Sequence, residues 1–92
     1  MPSLVCTVVN QKGLHARAAA QIISLVSDYD CAVFLTHKNQ RASACSLLKL
    51  LTLNAPKGSQ ILIEVKAGKK DHLAAQDLLD KLQVLFAQGF NE

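Results

Sequence analysis

The sequence predicts an α+β fold in which four antiparallel strands are covered on one face by three helices. Three observations support it. Apolar residues alternate over 60–66, apolar residues recur at helical spacing over 16–26 and 72–88, and the predicted elements follow the order βαββαβα. With 92 residues, half of them apolar, the chain is expected to form a single domain, residues 1–92, around one core.

The first half of the chain is expected to contain a strand, a helix and a hairpin. Residues 4–9 are mainly β-branched and apolar and predict the first strand, which a turn at 10–13 closes. A helix over 16–26 would bury one face formed by Ala19, Ile22, Ile23 and Val26. Residues 28–30 end it, a second strand covers 31–36, and a turn at 37–40 leads into a short strand near 41–43.

The second half is expected to contain a short helix, a strand and a long helix. Ser46 is expected to be the N-cap of a helix over residues 47–53, and the loop over residues 54–58 terminates this helix. The strand over 60–66 turns Ile61, Ile63 and Val65 to one side. Asp71 is expected to cap the last helix, Gly89 to take the left-handed position after it, and Phe90 to pack on Leu85. The apolar face of this helix consists of Ala75, Leu78, Leu79, Leu82, Leu85 and Phe86.

Composition excludes several functional classes. No apolar run is long enough to span a membrane and no secretory signal is recognisable, so a cytoplasmic protein without a membrane partner is expected. Cys6, Cys31 and Cys45 lack the spacing of metal ligands and are expected to be buried thiols. The net charge is +3 with scattered basic residues, and the aromatics are three Phe and one Tyr, so nucleic acid is not an expected partner.

The stretch KGLHARAAA places His15 where the first helix is expected to begin. Free backbone N–H groups and the positive end of the helix dipole point outward there, which favours an anion and disfavours a charged imidazole. A neutral histidine is a nucleophile. Arg17 adds a planar cation suited to phosphate oxygens, so the pattern indicates a reversible phosphoryl acceptor. The alternative is a histidine that only caps the helix beside a solvated arginine.

The stretches GLHARAAA and CSLLKLLTLNAPKGSQI, in this element order, resemble the histidine-containing phosphocarrier family, HPr, over essentially the whole chain. The resemblance implies an open-faced β-sandwich and a phosphoryl group carried on Nδ1 of His15. It implies enzyme I of the phosphotransferase system as donor and a histidine of an EIIA-type protein as acceptor. Arg17 would neutralise the phosphate, beside backbone groups of Ala16, Arg17 and Ala18. A monomeric relay rather than a turnover enzyme is implied, with no cofactor and no metal.

Two features refine this resemblance. The patterns SLLKLLTLNAPKGSQI and LFAQGFNE are more similar to the nitrogen-branch carriers, NPr, than to the sugar-branch ones, and acceptors of either branch stay open. Ala18 stands where the family usually has proline, a residue that fits the first helical turn because no N–H is needed there. Alanine preserves helix propensity and leaves one more N–H for an anion, so the chemistry is expected to survive.

A second group of candidates lies on the predicted short helix. Ser46 matches the serine that a kinase phosphorylates in some members of the family, although a helix cap alone explains a serine there. Leu47, Leu48 and Leu51 are too many leucines for the buried side of so short a helix, so some are expected to be exposed beside His15 as a docking surface, with Lys49 steering acidic partners. His37 and His72 are expected to be solvated bystanders.

Three functional classes follow. The first is a phosphocarrier that serves sugar transport or nitrogen regulation. The second is a regulatory effector that binds partner proteins according to its phosphorylation state. The third is a structural or binding module of α+β type, which the joint presence of Gly13, His15 and Arg17 disfavours.

Overall fold

The computed structural model describes residues 1–68 and 72–92. Its elements follow the predicted order βαββαβα, and a 3-10 turn is added after the last helix. They are β1 (Ser3–Thr7), α1 (Ala16–Ser27), β2 (Cys31–His37), β3 (Gln40–Ser43), α2 (Leu47–Thr52), β4 (Gln60–Ala67), α3 (His72–Ala87) and the 3-10 turn η1 (Gly89–Asn91). The predicted α+β fold class is confirmed. In residues 1–68 and 72–92 no helix is both long and apolar enough to cross a membrane.

The four strands form one antiparallel sheet in the order β1-β4-β2-β3. β4 is therefore an inner strand although it is the last in sequence, and Ile63 pairs with Leu4 of β1 on one side and Leu35 of β2 on the other. This arrangement brings the loop that precedes β4 next to the loop that follows β1. Both loops contribute to the site described below.

One face of the sheet packs against the helices and the other is open. Alternation along β4 buries Ile61, Ile63 and Val65 as predicted, and each of the three helices contacts at least one strand. On the open face the Arg41 guanidinium lies 4.0 Å from the centroid of the Phe34 ring. Burial on a single face matches the open-faced arrangement expected from the sequence.

The apolar faces of the two long helices supply a large part of the remaining core. In α1 the buried residues are Ala18, Ala19, Ile22 and Val26, whereas Ile23 is only partly buried. The predicted face of α3 is buried except for Leu85, which is partly buried. The stripe predicted from the 3.6-residue period therefore packs inward in both helices.

β1 ends two residues earlier than predicted. Thr7 pairs with Gln60, the first residue of β4, so the regular ladder has no further partner. Val8 is nevertheless buried, and it bonds to the loop instead: its N–H donates to Ser59 O (2.8 Å) and its carbonyl accepts from Gly58 N–H (2.7 Å). The end of a strand thus depends on where its partner begins.

The segment after α3 folds back on the core. Gly89 has a φ of +63°, as expected for a residue that follows a helix, and Phe90 is fully buried. Phe90 packs edge-to-face on Phe86, with ring centroids 4.8 Å apart, and the predicted partner Leu85 is partly buried against the same core. The two rings meet because both Phe86 and Phe90 are buried in the core. The predicted cap Asp71 lies outside the described residues.

Two predictions about buried and exposed side chains are wrong. Cys6 is buried, and burial raises the pKa of its thiol, but Cys31 is half-buried and Cys45 is exposed in the turn before α2. His37 is buried, with only 8% of its surface exposed. Side chains alternate along β2, so His37 points to the same face of the sheet as the buried residues Val33 and Leu35. Its Nδ1 lies 2.8 Å from Leu53 O, so Nδ1 carries the proton. The side chain of His72 lies outside the described residues.

Candidate functional site

The loop between β1 and α1 is tightly held. Asn10 is buried and its Nδ2 donates to Gly13 O (2.8 Å), while Gly13 N–H donates to Asn10 O (3.2 Å). Leu14 N–H donates to Ala55 O (2.8 Å) in the loop that follows α2. The residues that precede His15 are thus fixed by local hydrogen bonds and by a contact from a distant part of the chain.

Gly13 is required at its position for two reasons. Its φ of +66° is one that side chains rarely adopt, and a Cβ would come within 2.8 Å of Pro56 Cα. Only a glycine allows the two loops to approach this closely.

We therefore expect Gly13→Ala to destabilise the protein by roughly 3 kcal/mol, because backbone strain of about 1–3 kcal/mol is combined with a clash against backbone atoms. Urea unfolding measures the loss. Gly58→Ala is the matched control, since Gly58 also has a positive φ (+92°) but nothing lies within 4 Å of a Cβ there. Equal losses in the two variants would show that the approach of Pro56 contributes nothing.

His15 is the N-cap residue of α1, as the sequence predicts. Its backbone is extended (φ −87°, ψ 177°), and its side chain makes no capping hydrogen bond. The helical ladder begins where Ala19 N–H donates to His15 O (2.9 Å). The N–H groups of Ala16, Arg17 and Ala18 precede that ladder. Ala16 and Arg17 are exposed, so their N–H groups are available to an anion beside the imidazole, whereas the predicted contribution of Ala18 is disfavoured because that residue is fully buried.

The two neighbours of His15 that the sequence singles out differ in exposure. Arg17 is exposed in the first turn of α1, so its guanidinium can move toward a ligand on His15. Ala18 is fully buried, and α1 begins at Ala16 although the usual proline is missing. A small side chain at Ala18 therefore serves the core, while the start of the helix needs no proline.

The imidazole of His15 faces a carboxylate that the sequence did not reveal. Nε2 is buried and lies 3.6 Å from Glu92 Oε1, beyond hydrogen-bond distance, and 21% of the side chain is exposed. Oε2 of Glu92 accepts from Gln11 N–H (2.7 Å). Oε1 accepts from Lys12 N–H (3.2 Å) and from Asn10 Nδ2 (3.3 Å). Glu92 thus lies between the loop over residues 10–12, to which it is hydrogen-bonded, and the imidazole of His15.

These contacts determine the charge of Glu92. Desolvation by its surroundings would raise its pKa, but the hydrogen bonds from Asn10, Gln11 and Lys12, together with the neighbouring His15, outweigh it and lower the pKa. The carboxylate is therefore ionised at neutral pH, where it can only accept hydrogen bonds.

The second group of candidates lies on and before α2. Ser46 caps this helix as predicted, because its Oγ accepts from Lys49 N–H (3.3 Å). Leu47 and Leu48 are exposed, Leu48 with 75% of its surface, while Leu51 is partly buried; Leu50 instead enters the core. Lys49 is exposed. α2 packs against α1, so an apolar exposed surface lies on the helix next to the one that His15 caps.

Sequence reasoning missed Asn10 and Glu92. Asn10 lies in a stretch that resembles an ordinary polar turn, and Glu92 lies far from His15 along the chain. Gly89 and Phe90 were signals that the end of α3 folds back, but not that it reaches the turn before α1. In residues 1–68 and 72–92 no group of three or more His, Cys, Asp or Glu side chains could hold a metal ion.

Comparison of the sequence with known proteins identifies a family and individual relatives of this chain. The family described as "PTS HPr component phosphorylation site" matches residues 3–88. The phosphocarrier protein HPr of Chlamydia pneumoniae is 33% identical over 87 residues, covering 95% of this chain and 76% of the relative. The phosphocarrier protein NPr of Shewanella violacea is 37% identical over 65 residues, 71% of each chain.

Solved structures support the fold. The crystal structure of HPr-C-His from Thermoanaerobacter tengcongensis has a TM-score of 0.88 to this chain and is 21% identical to it, with 100% of this chain and 98% of the other covered. At that identity the likeness concerns the fold alone.

Proposed function

This chain belongs to the HPr family of phosphocarriers of the phosphotransferase system, and from that premise we propose that it accepts a phosphoryl group on His15 from phosphorylated enzyme I and passes it to a histidine of an EIIA-type protein. The observation that carries the proposal is the position of His15 as the N-cap of α1, beside the N–H groups of the exposed residues Ala16 and Arg17, which precede the helical ladder. Family membership also supports a monomeric, cytoplasmic domain over residues 1–92 as the acting unit.

The proposed step follows from this geometry. Nε2 is the buried ring nitrogen, so Nδ1 is the atom proposed to attack phosphorus. The Nδ1 lone pair forms the new N–P bond while the N–P bond of the donor phosphohistidine breaks, and its electron pair returns to the donor ring. Phosphoryl transfer needs mainly positioning and charge stabilisation, which the helix N–H groups and the Arg17 guanidinium supply.

The proposed docking surface consists of Leu47, Leu48, Leu51 and Lys49. Exposed leucines on α2 can be covered by a partner, and Lys49 adds a cation that attracts an acidic one. The packing of α2 on α1 supports a surface that a partner could cover while its histidine reaches His15.

Incubation with enzyme I and phosphoenolpyruvate tests the proposed relay. The expected result is one acid-labile phosphoryl group, located on His15 by mass spectrometry under alkaline conditions. Absence of labelling with active enzyme I would contradict the relay. Transfer from the labelled protein to sugar-type and nitrogen-type EIIA proteins, measured separately, then decides between the two branches.

Ser46→Asp tests the docking surface. A carboxylate at Ser46 adds negative charge beside the exposed leucines, and we expect the KM for an acidic partner to rise on the order of 10-fold because like charges are brought together. Ser46→Asn is the matched control, since asparagine also caps helices but carries no charge. Equal KM values for the Asp and Asn variants would place the docking surface elsewhere. Whether a kinase modifies Ser46 stays a prediction from the resemblance.

A further inference from the structure

The contact between His15 and Glu92 has a chemical consequence for the ring. An ionised carboxylate offers only lone pairs, so a ring nitrogen that faces it is favoured when it carries a proton and disfavoured when it carries a lone pair. Nε2 of His15 faces Glu92 Oε1 at 3.6 Å and has no hydrogen-bond partner although it is buried. The tautomer with the proton on Nε2 therefore directs a donor at the carboxylate, whereas the other tautomer sets two acceptors against each other.

We propose that Glu92 is a positioning residue that holds His15 in the Nε2–H tautomer and so leaves the nucleophilic lone pair on Nδ1. This inference rests on the proposed function for its kinetic consequence but not for its structural one. In hydrolytic triads a carboxylate on one ring nitrogen orients the imidazole in the same way. The 3.6 Å separation in the free protein is too long for a hydrogen bond, and catalytic contacts of this kind often tighten in the reacting complex.

The position of Glu92 is well determined by the fold. Phe90 anchors the segment in the core, and Gln21 Nε2 of α1 donates to Phe90 O (2.9 Å). Glu92 N–H donates to Gly89 O (3.1 Å), which turns the chain toward the loop before His15. The carboxylate is then bound from the other side by Gln11 and Lys12. Because both its backbone and its carboxylate are hydrogen-bonded, Glu92 can orient the imidazole of His15.

The same contact stabilises the product of phosphoryl acceptance. When Nδ1 uses its lone pair to bond phosphorus, Nε2 keeps its proton and the ring gains one positive charge. That charge develops next to the Glu92 carboxylate, where it forms an ion pair, and no proton has to move during the transfer. Glu92 therefore favours the acceptor tautomer before the step and the phosphorylated ring after it.

The first test measures the tautomer in the unmodified protein. Long-range 1H–15N correlation spectra of His15, recorded at about pH 9 to observe the neutral ring, report which nitrogen carries the proton. We expect Nε2–H to predominate. Predominance of Nδ1–H would overturn the proposal without any variant.

The second test uses Glu92→Gln. With its amide oxygen at the Oε2 position, glutamine can still accept from Gln11 N–H and from Lys12 N–H, which lie 2.7 Å and 3.4 Å from Oε2 of Glu92, so the segment is expected to stay in place while its charge is lost. We expect the Nε2–H tautomer to lose population to Nδ1–H, and kcat for phosphoryl acceptance from enzyme I to fall on the order of 10-fold with KM unchanged. A merely structural role would leave the tautomer ratio unchanged, and that result would overturn the proposal.

Glu64→Gln is the matched control for these measurements. Glu64 is likewise a carboxylate whose Oε1 lies 3.6 Å from a side-chain nitrogen, here Nε of Arg41, but it lies on the open face of the sheet. Its replacement is expected to leave the tautomer and kcat of His15 unchanged, and an equal effect would overturn the proposal. Failure of the proposed function is distinguishable, because it would abolish labelling of the parent protein while the tautomer result stood.

Discussion

Replacement of His15 by alanine is expected to abolish phosphorylation by enzyme I and phosphoenolpyruvate while the protein stays folded. The imidazole supplies the only lone pair proposed for attack, and alanine has none. His15 makes no side-chain cap of α1, so no helix cap is lost, and we expect the free energy of unfolding to change by no more than about 1 kcal/mol. Acid-labile phosphate, measured after the reaction, gives the result, and thermal unfolding checks the fold.

The control for this prediction is His72→Ala. The chain has three histidines, and His37 is buried with its Nδ1 bonded to Leu53 O, so only His72 and His15 need to be told apart by labelling. His72→Ala is expected to be labelled like the parent protein. Full labelling of His15→Ala would assign the phosphoryl group to another residue and overturn the proposed nucleophile.

Replacement of Arg17 by alanine is expected to lower kcat for phosphoryl acceptance by about 30-fold, less than the about 10²-fold of a preorganised donor in a water-excluded site, because Arg17 is exposed and must move to reach the phosphoryl group. Arg17 is exposed in the first turn of α1, where alanine is a favourable residue, so the fold is expected to be unaffected. Rapid-quench measurements with phosphorylated enzyme I separate kcat from KM.

Two further variants make the Arg17 result specific. Arg17→Lys retains the charge but not the planar fork, so it is expected to recover only part of the rate. Lys38→Ala removes an exposed cation from the turn between β2 and β3 and is expected to leave kcat unchanged. If Arg17→Ala transferred at the parent rate, the N–H groups of α1 would be sufficient to stabilise the charge.

The sequence predicted most of the site on α1 because its signals are local. A glycine, a histidine and the start of an amphipathic helix lie within five residues of one another along the chain, from Gly13 to Arg17. Neighbours in sequence are neighbours in space at a helix start, so the position of His15 could be inferred before any fold was known. The cap of α2 by Ser46 was predictable for the same reason.

Other features could not be predicted because they depend on long-range packing. Glu92 reaches His15 only because Phe90 is anchored in the core and the segment after α3 turns back toward Asn10. His37 is buried because the residues that follow α2 cover its side of the sheet, where its Nδ1 meets Leu53 O. Cys45 is exposed because it lies in the turn before α2, at the surface. The contacts of Glu92 have no local sequence signature, whereas the alternation of Val33 and Leu35 extends to His37 and could have indicated its burial.

The sequence by itself determined the order of elements, the apolar faces of the helices and the placement of a nucleophile at the mouth of α1, because hydrophobic periodicity and capping act over one or two turns. Only the tertiary structure decided that β4 lies between β1 and β2, that the loop at Ala55 fixes Leu14, and that a carboxylate faces the buried nitrogen of His15. These arrangements arise when distant segments are packed around one core, since each position then depends on the volume and hydrogen bonds of all its neighbours.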